Sequence, residues 1–286
     1  MGILFECQCS NSNGYSILQW NILSNKISTK QIFPNVEEKF LKWENRKKLI
    51  KEILKKENPD ILILDEIDNF NNFKKEIIDA LKIKYTGNFY ERLDKYMGIY
   101  IGINPDKFLL IEQKKIKFHG NDNELTENKN KFESLSPQIF IVSTIEEIKT
   151  KETFYLIVSH LKAKKENENI RLIQINEILQ YIKDNGLNNQ NIILVGDFNA
   201  EPQNESIINL EKFGMKSVFD YNKLEYTSFQ VRDGIDKKIL DYIFYYGNLI
   251  FAEEKKSDIK IDENIGLPNE QFPSNHLYLK AMFKIN

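Results

Sequence analysis

The chain reads Gly196-Asp197-Phe198-Asn199-Ala200-Glu201-Pro202 directly after the apolar run Ile192-Ile193-Leu194-Val195. Such a short apolar run predicts a buried strand, and side chains two residues apart on a strand point the same way. The strand would therefore carry the carboxylate of Asp197 and the carboxamide of Asn199 to one side of its end. A carboxylate orients water or binds a hard cation, and a carboxamide holds a phosphate oxygen without adding charge. This arrangement is typical of a metal-assisted phosphoesterase.

Polar side chains also end or interrupt other apolar runs. Asp241 stands inside Leu240-Asp241-Tyr242-Ile243-Phe244, and a charge within an apolar strand needs a partner. We expect His276 to be that partner, because a buried carboxylate fixes the tautomer of an imidazole and raises its proton affinity. A structural ion pair is the alternative. Further polar residues at strand ends, each of which alone could be a turn or core residue, are Asn21, Glu66 and His160.

The order of elements predicts an α/β fold in which helices lie between buried strands and the later strands form hairpins. The predicted helices are 41–58, 70–81, 169–184 and 206–213. The predicted strands are 15–20, 61–64, 96–103, 139–145, 154–158, one from 192, 240–245 and 277–283. The pattern favours two packed sheets with helices outside. We expect one domain over residues 15–286 after a lead-in, residues 1–14.

Composition excludes some classes of protein. Lys and Arg number 40 and Asp and Glu number 42, so the formal charge is −2. That balance argues against extensive coating of nucleic acid, although it permits a local basic groove. No apolar run approaches the length of a membrane span, and no cysteine pattern indicates an oxidising compartment. We expect a monomer in the cytoplasm, with a nuclear or organellar location left open.

Several motifs together resemble the endonuclease/exonuclease/phosphatase superfamily, in the order in which that superfamily carries them. They are Trp20-Asn21-Ile22-Leu23, Asp65-Glu66-Ile67-Asp68, Ser159-His160-Leu161-Lys162-Ala163, Gly196 to Pro202, Leu240-Asp241-Tyr242-Ile243 and Pro273-Ser274-Asn275-His276. Further stretches resemble the nocturnin group of its deadenylase-type branch. They are Leu41-Lys42-Trp43-Glu44 with Arg46, Tyr226-Thr227-Ser228 followed by Arg232, and Leu267-Pro268 with Phe272-Pro273-Ser274.

The resemblance implies a four-layer α/β sandwich of the DNase I-like type, with two mixed sheets flanked by helices and a site at one rim. It also implies Mg²⁺, with Mn²⁺ as an alternative. Glu66 would bind the metal, with Asn21 and Asn275 beside it. Hard oxygen ligands suit Mg²⁺, which retains much of its water.

The same resemblance implies catalytic roles. Asp197 would orient or deprotonate the attacking water, and Asn199 and His160 would hold oxygens of the scissile phosphate. His276, oriented by Asp241, would stabilise the developing negative charge. A phosphoester transition state needs positioned water and neutralised oxygens more than a covalent nucleophile.

Basic residues follow two of these motifs. The resemblance implies that Lys162, Lys164, Arg171 and Arg232 contact substrate phosphates, although a solvated face of a lysine-rich protein is the alternative. Lys164 stands where the nocturnin group carries Arg. A point charge there replaces a bidentate fork and would hold phosphate geometry less firmly.

The chain departs from the family pattern at several positions. Asn275 replaces an Asp near the metal, and Met97 replaces an Asp before Gly98, so the site loses carboxylates. Asp65 replaces a Gln and is either a spare metal contact or a surface residue. The segment 87–96 is shorter than in the nocturnin group and should open or reshape one pocket wall.

Two substrate classes follow from the resemblance: the 2′-phosphate of NADP(H), and the 3′-terminal adenylates of single-stranded RNA. The near-neutral charge and the lack of aromatic stacking platforms favour a small nucleotide. No leucine-rich repeat for docking to a deadenylase complex is present in the sequence. The alternative function is a catalytically weakened pseudoenzyme that binds nucleotide or RNA.

Overall fold

The computed structural model of the chain describes residues 14–120, 136–257, 259 and 261–284. Apart from Gly14, the predicted lead-in lies outside these residues. Within the described ranges, no helix combines the length and the apolar character that crossing a bilayer requires.

The first sheet has six strands and is mixed. Its central strand, β1 (Tyr15–Asn21), pairs in parallel with β2 (Ile61–Ile67) and antiparallel with β14 (Leu279–Lys284). The remaining strands are β3 (Thr86–Glu91), β4 (Gly98–Ile103) and β13 (Ile250–Lys256). The spatial order is β13-β14-β1-β2-β4-β3.

The second sheet also has six strands, in the order β5-β6-β7-β8-β12-β9. They are β5 (Phe108–Lys117), β6 (Ile139–Glu147), β7 (Thr153–Ser159), β8 (Ile192–Asp197), β9 (Lys216–Ser217) and β12 (Asp241–Tyr246). β7 and β8 run parallel, whereas β8 and β12 run antiparallel. A separate hairpin joins β10 (Ser228–Val231) to β11 (Ile235–Lys238).

Helices cover the outer face of each sheet. α2 (Trp43–Glu57) and α3 (Phe70–Glu76) pack on the first sheet, and the short α1 (Glu38–Leu41) precedes them. α4 (Glu168–Asp184) and α5 (Glu205–Phe213) pack on the second sheet. The expected sandwich of two mixed sheets with flanking helices is confirmed.

Strand β2 shows why this sequence requires helices outside the sheets. Ile61 and Ile63 belong to the cluster between the sheets, whereas Leu62 and Leu64 belong to the cluster under α2. All four side chains are fully buried. Burying one such side chain contributes about 1.5–3 kcal/mol, so both faces of the strand must be covered.

Some elements differ from the prediction. The helix expected at 70–81 ends at Glu76 and is followed by a short 3-10 helix, Ile78–Ala80. β3 and β5 were not predicted. Both lie at sheet edges and expose many of their residues, so their sequences lack the apolar run that marks a central strand.

Candidate functional site

Asp197 is the residue around which the polar side chains gather. It ends β8 and lies opposite Asp241 in the antiparallel register. Its Oδ2 accepts a hydrogen bond from Asn21 Nδ2 at 3.0 Å, and its Oδ1 accepts one from the backbone N of Asn199 at 3.0 Å. Nε2 of His160 lies 3.6 Å from Oδ2. The carboxylate is buried and held from both oxygens, so its orientation is fixed.

A second carboxylate holds the histidine of the site. Asp241 Oδ2 lies 2.8 Å from Nδ1 of His276 and also accepts a hydrogen bond from Thr227 Oγ1 at 2.8 Å. Burial lowers the pKa of His276, but the charges of Asp241 and Asp197 outweigh burial and raise that pKa to about 10. His276 is therefore an imidazolium at neutral pH, and its Nε2 is the nitrogen left to act on a ligand.

This pair predicts a pH dependence of stability. The pKa of His276 rises from 6.5 to about 10 on folding, so its contribution is complete below pH 6.5 and is lost as the pH rises toward 10. The free energy of unfolding of the metal-free protein should fall across that window. The fall should be shallower in Asp241→Asn, as measured by urea denaturation at a series of pH values. Equal slopes for the two proteins would contradict the assignment.

Gly196 lets β7 and β8 approach closely at the site. Its φ is +150°, and a Cβ placed there would lie 1.9 Å from the carbonyl oxygen of Ser159. Just beyond, Leu161 N donates to Asp197 O at 2.9 Å. The side chain of His160 consequently reaches Asp197 only because position 196 has no side chain.

Glu66 lies on the opposite sheet, at an irregularity in β2. The register shifts between Leu64 and Ile67, and Glu66 has a φ of +64°. Its Oε2 accepts a hydrogen bond from Ser24 N at 3.0 Å. Asn199 also has a positive φ, +51°. Residues other than glycine that are held in this conformation concentrate at functional sites.

Asp65 is fully buried, so the surface alternative is wrong. Gln19 Nε2 bridges Asp65 Oδ2 and Asp241 Oδ1, each at 3.1 Å. Burial raises the pKa of Asp65 well above its ordinary value; the hydrogen bond from Gln19 opposes this, and the nearby carboxylates add to it. Gln19 was not predicted as a site residue. It could have been found, since it shares a strand face with Asn21.

The donor set for a divalent cation is rich in oxygen. Asp197, Asp241 and His276 offer ligand atoms within 4.8 Å of one another. These three groups already satisfy each other and their neighbours, however. Asn275 Oδ1 is buried and has no partner among the described residues, and Glu66 is half-buried. An unpaired buried carbonyl oxygen and a half-buried carboxylate are the kinds of ligand that a hard cation prefers.

Asn21, which the resemblance placed only near the metal, makes a defined contact with Asp197. While its Nδ2 donates to Asp197, its Oδ1 accepts a hydrogen bond from Leu23 N at 3.0 Å. The side chain therefore links the end of β1 to Asp197.

Arg46 of α2 ties together two loops that carry site residues. Its guanidinium donates to the carbonyl oxygens of Ile22 and Leu23, after β1, and of Pro273, just before Asn275. Burial lowers the pKa of Arg46 to about 10. A lysine could not make this fork of hydrogen bonds, so Arg46 acts as a structural clamp between the two loops.

Lys162, one of the residues predicted to bind phosphate, lies within electrostatic range of Arg92, which was not predicted. Burial lowers the pKa of Lys162, and the charge of Arg92 lowers it further. The charge of Asp94 opposes this, and Lys164 adds a smaller lowering of the pKa. Arg92 pairs with Asp94 at 2.7 Å, yet its Nε is buried and has no partner among the described residues. The neighbouring charges of Lys162 and Arg92, together with this unpartnered Nε, offer a site for an anion. Because Arg92 lies beyond an unpredicted edge strand, no sequence pattern marked it.

The other two residues predicted to bind phosphate are Arg171 and Arg232. Arg171 is buried and donates to the carbonyl oxygens of Lys162 and Lys164 at 2.9 and 2.7 Å, and to Glu168 Oε2 at 2.9 Å. Its guanidinium shapes the lysine loop and does not face a ligand. Arg232 is exposed in the turn between β10 and β11.

Comparisons with known proteins agree with this arrangement. The profile of the Endonuclease/Exonuclease/phosphatase family matches residues 18–262. Nocturnin of Mus musculus is 31% identical over 303 residues, which cover 97% of this chain and 67% of that protein. The CCR4-Not complex 3′-5′-exoribonuclease subunit Ccr4 of Kluyveromyces lactis is 22% identical, over 96% of this chain and 41% of that protein.

A solved structure is similar over nearly the whole chain. The human Nocturnin catalytic domain with a bound sulfate anion superposes with a TM-score of 0.71 and 26% identity. The match covers 96% of this chain and 94% of that one.

Proposed function

The chain belongs to the endonuclease/exonuclease/phosphatase family, and from that premise we propose that it is a divalent-metal-dependent phosphohydrolase acting on a nucleotide phosphoester. One observation carries the proposal. Asp197 is a buried carboxylate fixed by Asn21 and Asn199, with His160 and the Asp241–His276 pair against it.

Asp197 would orient and deprotonate the attacking water. Its oxygens are aligned by hydrogen bonds from neutral carboxamide and backbone donors, which hold the carboxylate without neutralising it. A positioned base of this kind contributes about 10²–10⁴-fold to a rate.

Neighbouring donors would hold the phosphate oxygens. Asn199 Nδ2 donates to Leu161 O at 3.1 Å, which aims the carboxamide and leaves its second N–H for the substrate. His160 lies beside it. His276, kept as an imidazolium by Asp241, would place positive charge where negative charge develops. Lys162, Lys164 and Arg92 would bind a further phosphate of the substrate.

Glu66 and Asn275, with Asn21 as a further candidate, would hold a cation such as Mg²⁺, or Mn²⁺ in its place. When bound, it would neutralise charge on the reacting phosphate.

We propose two substrates and rank them by the strength of their support. Removal of the 2′-phosphate from NADP(H) stands first, because the chain is 31% identical to a nocturnin and its charge is near neutral. Removal of 3′-terminal adenylates from RNA stands second, supported by the likeness to a 3′-5′-exoribonuclease.

The test is one incubation series with Mg²⁺. NADP⁺, NADPH, poly(A) and a 2′,5′-linked adenylate are supplied in parallel, and phosphate and AMP release are measured side by side. Phosphate from the dinucleotides supports the first substrate, and AMP from poly(A) supports the second. Tight binding without any release would instead identify a binding module.

Asn275→Asp should strengthen metal dependence. A carboxylate would replace the unpaired Asn275 carbonyl, and the added charge should lower the Mg²⁺ concentration for half-maximal turnover about tenfold, equivalent to about 1.4 kcal/mol. A Mg²⁺ titration of activity measures this.

Asn269→Asp is the matched control for that variant. It adds the same charge on the same loop, and Asn269 Oδ1 already acts only as an acceptor, from Gln271 N and Phe272 N. A shift of equal size in both variants would point to a general charge effect and remove Asn275 from the metal site.

A further inference from the structure

The turn between β3 and β4, residues 92–97, touches loops of both sheets at the rim of the site. On the second-sheet side, Leu93 N donates to Pro137 O at 3.0 Å. On the first-sheet side, Lys26 Nζ donates to Tyr96 O at 2.6 Å. The turn thus spans the edge of the sandwich at which the candidate catalytic groups meet.

Tyr96 is exposed on this turn and yet held. Its accessible fraction is 38%, and Nζ of Lys26 lies 4.5 Å from the ring centroid. The backbone N of Tyr96 also donates to Asp94 Oδ1 at 3.1 Å. The cation covers part of the ring and anchors its backbone, so the ring is positioned without being buried.

A short chain of hydrogen bonds connects the backbone of Tyr96 to the proposed metal ligand, Glu66. Lys26 N and Ser24 Oγ both donate to Asp68 Oδ2, at 3.1 and 2.8 Å, and Ser24 N donates to Glu66 Oε2 at 3.0 Å. Lys26, Asp68 and Ser24 are the three residues between Tyr96 and Glu66 along this path. At the other end of the turn lies Arg92, which pairs with Asp94 and whose buried Nε has no partner among the described residues.

We propose that Tyr96 is a stacking platform for the nucleobase of the substrate. The ring stands between the metal side and the cationic side of the site, where the base of a bound nucleotide phosphoester would lie. Aromatic rings stack on any base, because every base has a π-face. The platform would select substrates that carry a base over base-free phosphoesters. The inference rests on the proposed function, which supplies the nucleotide.

The sequence alone did not indicate such a platform, since residue 96 was predicted to begin a strand. The strand begins at Gly98, and the short segment before it forms the turn that carries the ring to the rim.

The test compares Tyr96→Leu with Tyr96→Phe, which keeps the ring and serves as the matched control. The Kd of 2′-AMP, measured by isothermal titration calorimetry without Mg²⁺ so that the ligand is not hydrolysed during the titration, should rise about 5- to 150-fold in the Leu variant and stay near wild type in the Phe variant. Turnover of glycerol 2-phosphate, which has no base, should be unchanged in both. Lys26→Met should weaken 2′-AMP binding as well, because it frees the turn.

An unchanged Kd in Tyr96→Leu, or an equal loss in the Phe variant, would overturn the platform. The proposed function fails separately. If the wild-type protein hydrolyses no phosphoester while 2′-AMP binding still depends on the ring, the platform stands and the enzyme assignment does not.

Discussion

Asp197→Asn is expected to lower kcat by about 10²–10⁴-fold on whichever phosphoester the wild-type protein hydrolyses. The substitution removes the base and nearly keeps the shape, and the Asn Oδ1 can still accept one of the two hydrogen bonds, from Asn21 Nδ2 or from Asn199 N. Substrate binding should change little, because the carboxylate acts on water. Steady-state kinetics at saturating Mg²⁺ measure kcat and KM.

Asp220→Asn is the control for this variant. Asp220 is exposed, and its Oδ1 accepts a hydrogen bond from Asn222 N at 3.0 Å, which an Asn side chain can also accept. Its kcat should equal that of the wild type. A loss of less than about tenfold in Asp197→Asn would show that another group activates the water.

Glu66→Gln is expected to abolish metal-dependent turnover. The Gln side chain can still accept the hydrogen bond from Ser24 N, and the positive φ is unchanged, so the loss isolates the charge. Even the groups that merely hydrogen-bond to metal ligands cost about 10–100-fold in metal affinity or activity when mutated. Replacing a ligand should exceed that range. Turnover against Mg²⁺ concentration, together with calorimetric Mg²⁺ binding, measures the effect.

Glu44→Gln provides the comparison, since Glu44 lies on the same side of the fold in an exposed ion pair with Lys47. Such a pair contributes at most about 1 kcal/mol and should leave activity intact. Undiminished Mg²⁺ binding by Glu66→Gln would remove Glu66 from the metal site.

The central strands and the meeting of their ends could be predicted from the sequence, because burial on both faces leaves a continuous apolar run. The contact between Asp241 and His276 was predicted on physical grounds alone. In the structure, Asp241 Oδ2 lies 2.8 Å from His276 Nδ1. A carboxylate in an apolar strand has few other ways to be stable.

The rest depended on tertiary structure. Arg171 was expected to bind phosphate, yet its guanidinium is turned into its own loop. Spacing in the sequence shows on which face of a helix a residue lies, but not whether its side chain is buried. Arg92 and Tyr96 follow an edge strand whose residues are partly exposed. Edge strands carry no strong periodic signal, so the turn they support could not be placed at the site.

The close approach at Gly196 divides the protein into a part that tolerates variation and a part that does not. Any side chain at that position would force Ser159, and His160 with it, away from Asp197. The spacing of the reactive groups is thereby locked by the backbone of two neighbouring strands. Diversification toward new substrates would have to proceed through the turns that surround the cleft, which can lengthen, shorten or exchange side chains without disturbing the chemistry beneath them.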